Sequence, residues 1–174
     1  MADNWTKGFG TAPARAGGNF VNPGVYDVTL TAFVRRTSQK PETSGHQLVI
    51  LEARVDEVVV AYPEADGFGA SNAKNESVTV INNTSKHGAT AWANVKGQLL
   101  AILRSVALAQ GEDPPSEGDL SPEAWEIALE VAVEGAGTAF AGARLRIHAS
   151  KGSTRAKNPF TNLRFEALPP REAA

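Results

Sequence analysis

Along residues 25–36 apolar and polar side chains alternate strictly. Tyr26, Val28, Leu30, Ala32 and Val34 fall on one face, Asp27, Thr29 and Thr31 on the other. Successive side chains of a pleated chain point to opposite sides, so period two predicts a half-buried strand, opened here by the Asn22-Pro23-Gly24 turn. Residues 39–46 are polar, contain Pro41 and Gly45, and predict a hairpin-like loop. A second, long strand is expected over 47–62. Its runs Leu48-Val49-Ile50-Leu51 and Val58-Val59-Val60 predict burial on both faces, and Asp56-Glu57 between them predicts a bulge. After a Gly- and Asn-containing loop over 63–75, a short third strand is expected at 76–81, with Val78 and Val80 inward.

The period then changes. Trp92, Val95, Leu99, Ile102, Leu103 and Val106 recur at three- and four-residue steps, which predicts an amphipathic helix over about 91–109. Gly111 stands at its C-cap and Pro114-Pro115 prevent continuation. Ser121-Pro122-Glu123 opens a second helix, because Ser caps free N–H groups, Pro is tolerated in the first turn and Glu suits the positive end of the dipole. It is expected to run to about Val133, with Trp125, Ile127, Leu129 and Val131 supplying apolar contacts; strand is the alternative for its Val-rich end. A Gly/Ala linker over 135–142 leads into a final hairpin, with strands at 143–149 and 160–168. Leu145 and Ile147 point inward, and Arg144, Arg146 and His148 outward; Leu163 and Phe165 share one face of the last strand, Asn162 and Arg164 the other. Residues 1–22, rich in Gly, Ala and Asn, predict an arm without regular structure, and 169–174 a tail. A sharper reading of the arm is that Trp5, Phe9 and Phe20 dock on a partner or neighbouring subunit. The chain is therefore expected to hold one domain over 23–168, with a helical insertion at about 91–133.

Composition narrows the function more by exclusion than by indication. A chain of 174 residues, 42% hydrophobic and 21% charged, can bury one proper core. It has no cysteine, which excludes disulfides, thiolate metal sites and Cys nucleophiles and fits a reducing cytoplasm. Residues 1–18 lack the apolar core of a signal peptide, and no apolar run approaches the roughly 18 residues of a membrane span. His46, His87 and His148 are far apart, and Gly67-Phe68-Gly69 and Lys86-His87-Gly88 match no phosphate-binding loop. No catalytic residue, metal site or cofactor is expected.

Charge is the lead. The net charge is only -2, yet residues 135–165 hold Arg144, Arg146, His148, Lys151, Arg155, Lys157 and Arg164 and no acidic residue. Residues 112–134 hold eight Asp and Glu and no Lys or Arg. A basic strand–loop–strand predicts a local surface for a polyanion. Single-stranded nucleic acid needs cations for its phosphates and flat groups for its bases, and Phe160, with Asn162 beside it, ends the basic loop. Arg35, Arg36 and Lys40 form a second cluster near the first hairpin loop. The plainer reading is an edge hairpin charged to resist edge-to-edge aggregation.

The order β-β-β-α-β-β matches the five-stranded, partly open OB-like barrel, mainly β with a helical insertion between strands three and four. An unrelated α+β sheet fits the same count. The motifs Pro23-Gly24-Val25-Tyr26-Asp27-Val28, Gln98-Leu99-Leu100-Ala101-Ile102-Leu103, Gly142-Ala143-Arg144-Leu145-Arg146-Ile147, Lys151-Gly152-Ser153-Thr154-Arg155-Ala156-Lys157 and Phe160-Thr161-Asn162 follow one another in a recurring plan. In this the chain resembles bacteriophage-encoded OB-fold-like single-stranded DNA-binding proteins, over roughly residues 20–168. The resemblance implies largely sequence-independent binding of single-stranded DNA in replication or recombination, in the cytoplasm of a bacterial host. It further implies replication or recombination proteins as partners, self-association, and two basic loops that frame the groove. The alternative is a non-enzymatic structural or interaction protein, a virion component or an inhibitor of a host protein.

Overall fold

The alternating segment 25–36 becomes the centre of a single antiparallel sheet. A computed structural model describes residues 5–6, 9–10, 17–19, 21–65, 67–153 and 159–171. In chain order its main elements are β1 (Gly17–Asn19), β2 (Gly24–Thr37), β3 (Gln47–Ala61), β4 (Ser77–Asn83), α1 (Thr84–Ala109), α2 (Pro122–Val133), β5 (Arg144–Ser153) and β6 (Pro159–Ala167). The fold is mainly β, with two helices between β4 and β5. The sheet order is β1-β6-β5-β2-β3-β4, five long strands with the three-residue β1 added at one edge. It is open: β4 and β1 are its edges, and nothing pairs them among the described residues.

β2 joins the two halves. It pairs with β3 along its whole length and, over Gly24–Thr29, with β5 on its other side. Its register against β3 skips Asp56, Val59 and Thr31. The first is the bulge expected at Asp56-Glu57; each extra residue raises the local twist and lets so long a pair curl. β4 pairs with β3 only from Leu48 to Arg54. Burial follows that limit. Val49, Ile50 and Leu51 are buried, whereas Val59 and Val60, expected inside, are about 40% exposed: 40% and 39%. They lie past the last residue that β4 covers, at a bulge.

The curl closes on α1. That helix touches β4 near one edge, β6 and β1 at the other, and β3 and β5 between. Trp92, Val95, Leu99 and Ile102 share one core with Tyr26, Val28, Leu30, Val49, Leu51, Leu145 and Ile147. The helix starts earlier than its apolar period, at Thr84, because the Asn83 side chain caps the Lys86 N–H at 2.8 Å. Non-helical backbone at Gly88 separates this first turn from the rest. α2 lies on β2 with Trp125, Leu129, Ala132 and Val133 buried. Ile127 and Val131, expected to make apolar contacts, are 62% and 46% exposed. Two residues from Trp125 and Leu129 is a rotation of about 200° at 3.6 residues per turn, so the buried and exposed pairs occupy opposite faces.

Of segment 1–22, expected to be an arm without regular structure, Trp5, Phe9 and residues 17–19 join this chain's own fold, and Phe20 lies outside the described residues. Phe9 is completely buried, its ring centroid 5.5 Å from that of Trp92 and 6.3 Å from that of Trp125. β1 extends the sheet by pairing with Thr161–Leu163. Sequence periodicity could not show either, because both contacts are long-range and each involves one to three residues. At the start of β2 the Tyr26 hydroxyl donates to the Asn22 carbonyl at 2.6 Å and accepts from the Asn72 N–H at 3.0 Å. Burial raises its pKa above the ordinary tyrosine value. No helix among the described residues is long and apolar enough to cross a membrane.

Candidate nucleic-acid interface

Period two places Arg146 and His148 on the outer face of β5, while Arg144, at the strand's start, lines a cavity with Ser105, Val106 and Gln110 of α1. The register sets their neighbours. Asp27 of β2, Arg146 and Glu166 of β6 form one cross-strand row; Val25, His148 and Arg164 form the next. The basic run, free of acids in sequence, therefore meets acids in space. Arg146 binds Asp27 through both guanidinium arms, at 2.6 and 3.0 Å. That charge-assisted bond, more than the charge of Asp27 or Glu166, holds the Arg146 pKa above the usual arginine value. His148 Nε2 lies 3.0 Å from Glu166 Oε2. Arg144 donates from Nη1 to the Pro169 carbonyl at 3.0 Å and is drawn toward the C-terminal tail. These three side chains have structural partners.

The remaining expected residues divide into three places. Asn162 and Arg164 are exposed on the outer face of the β5–β6 hairpin, whereas Lys151, also exposed, pairs with buried Thr161 and by alternation belongs to the opposite face at the hairpin's end. Phe160 is half-buried opposite Gly152; a side chain at Gly152 would meet the Phe160 ring at 3.0 Å and Asn162 at 2.8 Å. Arg155 and Lys157 lie outside the described residues. Arg35, Arg36 and Lys40 belong to the far end of β2. From Gly24 to Thr37 a straight strand would span about 43 Å at 3.3 Å per residue. Arg36 and Lys40 are exposed there. Arg35 stacks 4.3 Å from the Trp5 ring centroid and donates from Nε to Gln47 at 2.8 Å. With Trp5, Glu130 and Glu134 it lines a cavity of about 450 Å³ against α2. The two basic clusters therefore stand at opposite ends of β2, because successive antiparallel connections alternate ends.

One groove unites part of the expected set with a residue that sequence reading assigned no role. About 480 Å³ in volume, it is lined by Pro23, Gly24, Val25, Tyr62, His148, Ala149, Ser150 and Lys151. Tyr62, just past β3, is 46% exposed, so its ring is available to a ligand. The signal in sequence was small: an aromatic after an apolar run and before Pro63. Beyond His148, its cross-strand neighbour Arg164 lines a second groove of about 680 Å³ with Arg104, Phe165 and Glu166. Arg104 comes from α1, where it donates to the Pro115 carbonyl at 2.8 Å. Tyr62 just past β3, His148 on β5 and Arg164 on β6 thus form a strip about 14 Å across three inter-strand gaps, with Gly24 and Val25 of β2 between them and Lys151 at the hairpin end of the groove. Such a strip can pair phosphates with Lys and Arg and offer rings to bases. Among the described residues no three His, Asp or Glu side chains gather to hold a metal ion. Compared with known proteins, the chain matches no family model, no curated protein and no solved structure.

Proposed function

We propose that this protein binds single-stranded DNA, with little sequence preference, across the outer face of β2, β5 and β6. The observation that carries this reading is the groove in which exposed Tyr62 faces His148 and Lys151, continued by Arg164. Rings and cations side by side suit a flexible polyanion with stacking bases better than they suit a folded protein surface. The chain is read as an OB-like sheet. In support, the long strands, numbered one to five, lie in the order 5-4-1-2-3, with the first between the second and fourth and the helices after the third. Such a protein would serve replication or recombination of phage DNA in a bacterial cytoplasm, beside other proteins of those processes.

Anisotropy titration of labelled oligo-dT at two salt concentrations tests the proposal. Binding should weaken steeply with salt, since phosphate contacts release counterions. Tyr62→Ala should weaken it by about 5- to 150-fold, the equivalent of roughly 1–3 kcal/mol for one stacked base. Lys151→Ala with Arg164→Ala should flatten the salt dependence. No binding at low salt would sink the reading. A second reading, a structural or interaction protein, is favoured by the engagement of Arg144, Arg146 and His148 by this chain's own groups. It predicts stable assembly with no affinity for the oligonucleotide.

A further inference from the structure

The cleft between α1 and α2 has recognition rules. Its occupant is the Phe9-Gly10 step. The Phe9 ring lies between Trp92 and Trp125, and Lys96 Nζ donates to the Gly10 carbonyl at 2.8 Å. Lys96 is itself buried, 5.0 Å from the Trp125 ring centroid and 5.9 Å from that of Phe9. A Cβ at Gly10 would run into the Pro122 carbonyl at the start of α2. The cleft therefore takes an aromatic ring followed by glycine, with the glycine carbonyl turned to an ammonium group.

The approach to the ring is a turn, in which the Phe9 N–H donates to the Thr6 carbonyl at 2.9 Å. The chain carries Gly-Phe-Gly twice, at 8–10 and at 67–69. The second copy has the same local bond: the Phe68 N–H donates to the Ala65 carbonyl, also at 2.9 Å. There Gly67 and Gly69 are exposed and Phe68 is half-buried, on the loop that follows β3, where a Cβ at Gly69 would meet the Asn22 side chain at 3.1 Å.

We propose that the α1–α2 cleft is a docking site for a Gly-Phe-Gly turn. The turn ending in Phe9-Gly10 fills it within one molecule, and the Ala65–Gly69 turn of a second copy fills it when that segment is displaced. Donor turn and acceptor cleft are different surfaces, so the contact is heterologous and builds rings or open chains. The internal segment competes at the effective concentration of a tethered ligand, on the order of millimolar, so the intact protein stays monomeric at lower concentrations. Whatever withdraws the segment licenses assembly. The inference does not depend on DNA binding, which uses the outer face of the sheet.

The test is sedimentation of the full chain and two variants over a wide concentration range. Phe9→Ala removes the ring from between Trp92 and Trp125, weakening the hold of the internal segment, and leaves the 65–69 turn intact. Its weight-average mass should rise about twofold or more with concentration, while the parent stays monomeric. Phe9→Ala combined with Phe68→Ala should return to the monomer. A Phe9→Ala protein that remains monomeric, or association that survives in the double variant, overturns the proposal. Where circular dichroism finds Phe9→Ala unfolded, a peptide of residues 63–71 is titrated into the parent protein to millimolar concentration, with the indole N–H resonances of Trp92 and Trp125 observed. Saturable shifts that vanish with a Phe68→Ala peptide support the site. No shift with the parent peptide refutes it.

Discussion

Arg146 shows how a residue's role depends on what faces it. By charge pattern it was a DNA contact; by structure its guanidinium is committed to Asp27, whose side chain is 9% exposed. Removing the arginine leaves that carboxylate nearly buried and unpaired. Arg146→Ala should therefore destabilise the fold by roughly 2–4 kcal/mol, toward the low end because a third of the Arg146 side chain meets water. Urea unfolding measures it. Arg164→Ala, on an exposed neighbour, should change stability by less than about 0.5 kcal/mol. A loss of DNA binding in Arg146→Ala would thus report on folding, whereas a loss in Arg164→Ala would report on the interface. The alternation along β5 made Arg146 legible as outward-facing. Its partner was not legible, because Asp27 lies more than a hundred residues away and meets it only through strand register.

Elements show the same division. The residue 135–142 segment reads in sequence as a Gly/Ala linker, yet the sheet holds it closely. The Gly137 carbonyl accepts from the Phe33 N–H at 2.8 Å, and Gly142 and Ala143 exchange hydrogen bonds with Leu30. Gly137 has φ of 70°, and a Cβ there would collide with the Phe33 carbonyl. Gly135 has a similar φ, 59°, with open space around it. Both alanine variants carry the left-handed backbone penalty of about 1 kcal/mol; Gly137→Ala must also push the segment off β2 and should cost about 2–4 kcal/mol in all. Thermal melts of the two variants side by side separate backbone strain from lost docking. If the two fell equally, the close approach to Phe33 would carry no weight. Helix and strand types were readable because each has a period several residues long. The inward face of α2 and the early start of α1 were less so. One was decided by which side met β2, the other by a single capping side chain, Asn83.

At the scale of the whole molecule, the packing of Phe9 and Gly10 between α1 and α2 accompanies a buried cation. Burial lowers the Lys96 pKa from the ordinary 10.5, with attraction to Glu117 opposing. Between the folded value and 10.5 the unfolded chain binds more protons, so this residue makes stability rise with pH across that window. Relative to Lys96→Met, which carries no charge, the parent protein should gain stability as pH climbs toward 10.5. Urea unfolding of both proteins at neutral pH and near the top of that window checks the sign; a difference that stayed level would mean the ammonium group is not desolvated.

Local sequence determined the strands, the helices and the outward placement of Arg146, His148 and Arg164, because periodicity and caps act within a few residues. The Asp56 bulge also followed from its local pattern. Only the tertiary structure decided which strands became neighbours, that acids from β2 and β6 would engage Arg146 and His148, and that Tyr62 would face Lys151 across one groove. It alone also seated Phe9 in the core. These outcomes depend on contacts between residues far apart in the chain, whose register and facing side are set by the packing of the whole sheet around α1 rather than by any segment's own pattern.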